Sequence, residues 1–430
     1  MRFEKGFFVG AATAAHQVEG NNRNSDDYAL ELLPHGGFTE PSGIACDHYN
    51  RYAEDIALMK KAGLNTYRFS IEWARIEPEE GVFDEAEIDH YRKVIACCRE
   101  NGIEPVVTLF HFTSPVWVIR KGGWECEEIV KWFRNYVDKV IQELGADLHY
   151  IVTINEANMR LQIRMISERY RKQMQQAAAK GAAAGEDQVQ VGYNLKLMME
   201  GLKKAEEEKR SVFGTGDPKT FVSSCTEEGD LLVMKAHEAA REVIRKRYPD
   251  IQVGLSLSLH DIQSVPGGEE NAKEEWDQEF LHYLPYLKDD DFIGIQNYTR
   301  AVYGADGQLP NPEGASLTQM GYEDYPEGLY HVLCRVHESF PGNLFVTENG
   351  IATDDDEARC RFLTTAISGV MKAKSEGIPV IGYTCWSLLD NFEWQKGYAM
   401  RFGLVSVDRK TMERTLKKSL HLLGSFAPEE

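Results

Sequence analysis

No apolar run in this 430-residue chain reaches the length that a membrane-spanning helix requires. The N-terminal stretch MRFEKGFFVGAATAAH places charge before only a few apolar residues, with no long hydrophobic region behind them, so no secretory leader is expected and a cytoplasmic location follows. Cys-x-x-Cys pairs are missing as well. The eight cysteines, Cys46, Cys97, Cys98, Cys126, Cys225, Cys334, Cys360 and Cys385, are scattered, several of them in apolar or periodic segments, and are expected to be reduced, buried thiols. Neither His-x-His nor His-Glu-x-x-His occurs among the 12 histidines, which argues against a metal-dependent hydrolase. No glycine-rich fingerprint follows the first strand-like run, which argues against a dinucleotide fold. No cofactor and no metal are implied. Positive charge is scarce: 48 basic residues face 68 acidic ones, for a net charge of −20. Such a surface repels nucleic acid and anionic membranes, serves solubility, and suits an uncharged small-molecule ligand.

A hydrophobic share of 43 % with 27 % charged residues is enough to bury a large core and cover it. Eight short β-rich runs alternate with helical stretches: FFVGAA from Phe7, LNTYRFS from Leu64, IEPVVTLFH from Ile103, YIVTINE from Tyr150, QVGLSLSL from Gln252, FIGIQNY from Phe292, LFVTEN from Leu344 and VIGYTCWS from Val380. Alternation of this kind implies parallel strands joined by crossover helices, and eight strands close a barrel. Near-continuous apolar runs such as PVVTLF fit strands buried on both faces. The amphipathic stretches NRYAEDIALMKKAG and EIDHYRKVIACCRENG each end in Gly, as a helix C-cap does. The expected fold is therefore α/β, a (β/α)8 or TIM barrel spanning residues 1–430 as a single domain with extended βα loops. One compositional shift, rich in Ala, Lys, Glu and Gly, marks 173–216 as a mobile insertion between strands four and five, either a helical lid or a solvated excursion.

In a barrel, functional groups collect where strands end. Glu156 ends YIVTINE, and Glu348 follows LFVT. Either glutamate alone could be a solvated loop residue or an ion-pair partner, but two carboxylates delivered to one barrel mouth are the requirement for splitting a glycosidic bond. One carboxyl group must protonate the leaving oxygen and needs a raised pKa, whereas the other must stay ionised beside cationic and hydrogen-bonding partners. Arg68, in LNTYRF, and Tyr298, ending IGIQNY, are suitable partners.

FFVGAATAAHQVEG, LNTYRFSIEWARIEP, TINE, VTENG and WSLLDNFEWQKGYAMRFGLVSVD, in that order, give the chain a resemblance to glycoside hydrolase family 1, the β-glucosidase and β-galactosidase family, over nearly its whole length. The resemblance implies a retaining mechanism with Glu348 as nucleophile and Glu156 as general acid/base, their carboxyl groups about 5 to 5.5 Å apart. It also implies that Asn155 hydrogen-bonds the sugar's 2-hydroxyl, that Tyr298 and Arg68 position and stabilise the nucleophile, and that Gln17, His111, Asn155, Glu393, Trp386 and Trp394 bind the sugar. Gln17 and Glu393 would meet the hydroxyls that separate gluco from galacto configuration. As a lone residue, His111 could equally be a satisfied core histidine.

Three motifs depart from the family pattern: NEAN at Asn155 to Asn158, where NEP is common; HFTSP, with Phe112 in place of a tryptophan; and QNY, with Gln296 and Asn297 in place of asparagine and a first tyrosine. All bear on aglycone preference. The resemblance implies a β-glycosidase for neutral β-D-glycosides, β-glucosides first and then β-galactosides or β-fucosides. Alternatives within the family are a transglycosidase and a 6-phospho-β-glycosidase; Glu393 opposes the latter by repelling a phosphate, while Lys396 favours it. Outside catalysis, the alternative is a carbohydrate-binding relative that has lost a catalytic carboxylate, although both are present here. The oligomeric state, a homo-oligomer included, leaves no readable mark in the sequence.

Overall fold

The computed structural model describes residues 2–180 and 202–429. The eight expected runs become eight strand positions: β1 Phe8–Ala12, β2 Thr66–Ser70, β3 Glu104–Thr108, β4 Tyr150–Val152, β5 in two segments, Gln252–Gly254 and Ser256–Ser258, β6 Phe292–Gln296, β7 Asn343–Asn349 and β8 Val380–Trp386. All neighbouring pairs are parallel, and β1 lies between β2 and β8. The first segment of β5 pairs with β4 and the second with β6, so the ring closes through the fifth strand, which is interrupted at Leu255. Parallel strands require long crossovers, and helices supply them. His48–Ala62, Glu85–Glu100 and Ile129–Leu144 precede β2, β3 and β4. Glu227–Arg247 leads into β5, while Gly328–Ser339 and Asp356–Ser375 precede β7 and β8.

Local sequence explains these boundaries. Asp84 caps Glu85–Glu100 by accepting from the Ala86 and Glu87 amides. His48–Ala62 stops at Gly63, whose φ of 87° is the left-handed conformation a C-cap needs. Ile129–Leu144 buries Trp132, Phe133, Tyr136, Val137, Val140, Ile141 and Leu144 along one stripe, the 3.6-residue repeat of a helix covering a barrel wall.

Inside the ring, side chains stack in layers. The lower layer is apolar: Phe8, Val106, Tyr150, Val152, Phe292 and Phe345 pack together, with the Phe8 ring 5.1 Å from Tyr150 and 6.1 Å from Phe345. Much of this plug comes from the first residues of strands, so the N-terminal end of the barrel is filled. The polar side chains described below occupy the other end. A short annex, Asp261–Ser264 paired with Arg300–Gly304 and then Gly307–Gln308, extends the loops after β5 and β6. A hairpin, Val405–Val407 with Arg414–Leu416, follows β8.

Of the expected insertion at 173–216, residues 181–201 lie outside the described residues. The flanking helices are described: Met159–Lys180 begins just after the NEAN motif, and Leu202–Phe213 is joined to the barrel through the Arg120 bond to the Val212 carbonyl. All eight cysteines are free thiols, but the expectation of burial holds for only part of the set. Cys97, Cys126 and Cys334 are partly exposed, because each lies toward the margin of a helix or turn rather than on its inner face. Among the described residues, no helix is long and apolar enough to cross a membrane.

Candidate active site

At the C-terminal end of the ring, Gln17, His111, Phe112, Asn155, Glu156, Tyr298, Glu348, Trp386, Glu393, Trp394 and Phe402 line one depression with about 300 Å³ of free space. Nine of these eleven lining residues are sequence-predicted site residues, and the tenth of those, Arg68, lies directly beneath. Larger hollows exist elsewhere, one beside Arg247 and one near the two chain ends, but neither holds a pair of buried carboxylates.

Arg68 organises the floor. It is fully buried on β2, so its charge must be met by protein. Its Nη1 donates to Glu348 Oε1 at 2.5 Å and to the Thr347 carbonyl at 3.2 Å, Nη2 donates to Asn155 Oδ1 at 2.6 Å, and Nε donates to Thr108 Oγ1 at 3.1 Å. The Tyr298 hydroxyl donates to the other carboxylate oxygen, Glu348 Oε2, at 2.6 Å. Glu348 is thus gripped on both oxygens. Gly350, just beyond β7, lets the chain after Glu348 pass against the end of β8: a Cβ there would stand 2.0 Å from the Trp386 carbonyl oxygen.

Glu156 has a different environment. Its φ of 41° is unusual for a non-glycine residue, and Phe112 and Trp394 share the left-handed region at 72° and 46°. Strained backbone at three lining residues is typical of a functional site. Among the described residues, no cation is paired with the Glu156 carboxyl in the way that Arg68 is with Glu348. Burial and the nearby charge of Glu348 push Glu156 well above the usual carboxylate range, against a smaller opposing pull from Arg68. Burial also raises Glu348, but Arg68, Tyr298 and Gln296 hold it down, so Glu348 is the first of the pair to ionise.

The remaining wall is aromatic and amide-lined. The His111 and Trp386 rings lie 5.7 Å apart and 18° from parallel, and Phe112 meets Trp394 at 5.4 Å. Burial, then the Arg68 charge, lowers the His111 pKa far below that of a free imidazole, so the ring is neutral. His111 is not a satisfied core histidine: its Nδ1 is buried without a hydrogen-bond partner. Gln17 Nε2 donates to the Phe392 carbonyl at 2.8 Å and to Glu393 Oε2 at 3.3 Å, which leaves Gln17 Oε1 unpartnered. Burial and the Glu348 charge raise Glu393 to about 8.

Phe402, Thr108 and Ser256 were not anticipated as site residues. Phe402 lies inside the long C-terminal motif, but its neighbours there drew attention to the tryptophans. Ser256 had a legible signal, since the alternation LSLSL in β5 puts hydroxyls on a single face of an otherwise apolar strand.

Two buried carboxylates in unlike environments thus lie together with a neutral imidazole, two indoles and buried amides around one depression. Comparison with known proteins agrees. The sequence pattern of glycosyl hydrolase family 1 matches residues 1–187 and 288–429. The chain is 30 % identical to 1,4-beta-D-glucan glucohydrolase of Thermotoga neapolitana, covering 97 % of this chain and 96 % of that one. It is also 30 % identical to beta-glucosidase A of Thermotoga maritima, with the same coverage. Among solved structures, beta-glycosidase BGL167 superposes with a TM-score of 0.86 at 42 % identity, over 100 % of this chain and 98 % of the other. The Thermotoga maritima beta-glucosidase in complex with glucoimidazole gives a TM-score of 0.79 at 27 % identity, over 99 % and 98 %. With fold, site and likeness in agreement along the whole chain, this protein belongs to glycosyl hydrolase family 1 and is a glycoside hydrolase.

Proposed function

We propose that the chain is a retaining β-glycosidase for neutral β-D-glycosides, β-glucosides first, with Glu348 as nucleophile and Glu156 as general acid/base. The observation that carries this reading is the asymmetry of the pair. Glu348 is held by Arg68 and Tyr298 and ionises first, whereas Glu156 keeps its proton in an environment where no cation among the described residues is paired with it. Glu348 attacks the anomeric carbon as Glu156 protonates the departing oxygen; Glu156, now ionised, then takes a proton from water as that water displaces Glu348 and releases the sugar. Asn155 presents its amide nitrogen to the 2-hydroxyl. Trp386 and Trp394 offer faces to the apolar side of the ring, and Gln17 and Glu393 bind hydroxyls.

Support for a glucoside comes from the relatives named glucohydrolase and beta-glucosidase, and support for wider tolerance from a Bifidobacterium breve relative named bifunctional beta-D-glucosidase/beta-D-fucosidase, 29 % identical over 99 % of this chain and 98 % of that one. A 6-phosphoglycoside fits less well, because no lysine or arginine is among the described residues that line the depression to meet a phosphate.

The test is hydrolysis of aryl β-glucoside, galactoside, fucoside, glucuronide and 6-phosphoglucoside by wild type, Glu348→Ala and Glu156→Ala. Glu348→Ala is expected to lose turnover on every substrate. Glu156→Ala is expected to keep slow cleavage where the phenol is acidic enough to depart unprotonated, with azide accelerating release of the sugar. Equal residual rates in the two variants would contradict the assigned roles.

A further inference from the structure

Ser256 and Gln296 stand beneath Asn155, both fully buried, and neither lines the cavity, although Gln296 also helps to hold Glu348 ionised. Hydrogen-bond capacity fixes how these groups are arranged. Arg68 has donors only, so the Asn155 atom that faces it at 2.6 Å is the carbonyl oxygen Oδ1. Gln296 reaches the same oxygen at 2.7 Å and must therefore present its nitrogen, Nε2. The second N–H of that amide donates to Ser256 Oγ at 3.0 Å. The Glu156 backbone N–H also donates to Ser256 Oγ, at 3.1 Å. One hydroxyl accepts two bonds and gives one, so the Ser256 proton goes to the remaining neighbour, Asn155 Oδ1, at 3.3 Å.

The donor and acceptor roles around Asn155 Oδ1 have a single solution, which leaves Gln296 Oε1 buried without a partner among the described residues. Three donors from β2, β5 and β6 hold one amide oxygen, and the amide nitrogen is thereby turned toward His111 Nε2, 3.3 Å away on the cavity wall. The same serine anchors the backbone of Glu156 at its left-handed φ.

We propose that Gln296 and Ser256 are positioning residues that lock the Asn155 amide with its nitrogen toward the sugar's 2-hydroxyl. The proposal rests on the reading of Asn155 given above. It also gives the QNY departure a role: a side chain with the reach of glutamine spans from β6 to both Asn155 and Ser256.

The experiment compares kcat/KM for an aryl β-glycoside and for its 2-deoxy counterpart in wild type, Gln296→Met, Ser256→Ala and Asn155→Ala, using the full chain. Gln296→Met keeps length and removes the donor, and Ser256→Ala carries the test if the first variant does not fold. Losing this alignment should slow the parent glycoside about tenfold or more beyond any loss that it shares with the 2-deoxy substrate through Glu348 or Glu156, so the ratio of the two rates collapses. Equal losses on both substrates, or no loss, in Gln296→Met and Ser256→Ala would overturn the proposal and leave these residues with packing alone. Should Asn155→Ala itself leave the ratio intact, the reading of Asn155 fails first, and the proposal with it.

Discussion

Tyr298 and Arg68 act on opposite oxygens of a single carboxylate, and their effects separate because one is neutral and the other charged. Removing the tyrosine hydroxyl takes a donor from Glu348 while leaving the Arg68 pair in place. Tyr298→Phe should therefore raise the Glu348 pKa, move the acid limb of the kcat/KM profile to higher pH, and cost about tenfold at the optimum. An acid limb that stays where it is in the variant would show that this hydroxyl does not tune the nucleophile. At this scale, much of the candidate site was legible before any coordinates. Glu156 and Glu348 sit at or just beyond strand ends, where barrel geometry leaves few places to point, whereas Trp386 and Glu393 were legible only through the family resemblance. Thr108 was hidden for the opposite reason: a small hydroxyl inside an apolar strand looks like packing until neighbouring strands are in register and a guanidinium arrives beside it, as Arg68 does.

Arg414 in the C-terminal hairpin reaches across to the helix His48–Ala62, donating from Nε to Asp55 Oδ1 at 2.8 Å and from Nη2 to Asp55 Oδ2 at 2.9 Å. His48 Nδ1 lies 2.7 Å from the same carboxylate. Burial alone would raise the Asp55 pKa, yet the bonds from Arg414 and His48 bring it below the usual value. Removing one member strands a buried charge, so Arg414→Met should destabilise the fold by about 3 kcal/mol or more, read from denaturant midpoints. A midpoint within experimental error of wild type would mean that water reaches this pair. The eight barrel strands were legible because each is a compact apolar run, and their helices because the period changes between runs. The interruption of β5 at Leu255 and the annex Asp261–Ser264, Arg300–Gly304 and Gly307–Gln308 were not. Segments of two to five residues carry too few side chains to show a period, and their pairing is decided by partners distant in sequence.

For the molecule as a whole, several buried carboxyls pull stability in one direction. Asp26 is raised to about 8 and Glu72 to about 7, each chiefly by burial, and Glu393 to about 8 by burial and the Glu348 charge. Near pH 6 the native chain therefore holds protons on these groups that the unfolded chain has lost. Their contribution is fully present below the ordinary carboxylate pKa and is lost as pH rises through about 7 to 8. Asp55, with a depressed pKa, works in the opposite sense and weakens only as pH falls. Asp26→Asn retains an acceptor for the Ser114 and Asp27 amides, which now bond to Asp26 Oδ1, and cannot ionise. Its stability should gain on wild type steadily from about pH 5 to pH 8, measured by urea unfolding at fixed temperature. Parallel pH curves for the two proteins would place the proton elsewhere.

Two of the seven indoles in the chain, Trp386 and Trp394, border the depression above Glu348. A sugar resting on them replaces water at their faces, so occupancy of the site becomes an optical signal carried by the protein itself. Titrating an unreactive sugar mimic should shift the intrinsic emission to shorter wavelength and saturate, with most of the change gone in a Trp386→Phe, Trp394→Phe double variant. A mimic that binds by calorimetry without moving the emission would place the ligand away from these rings. The same signal would follow binding in Glu348→Ala, where no turnover remains to report it.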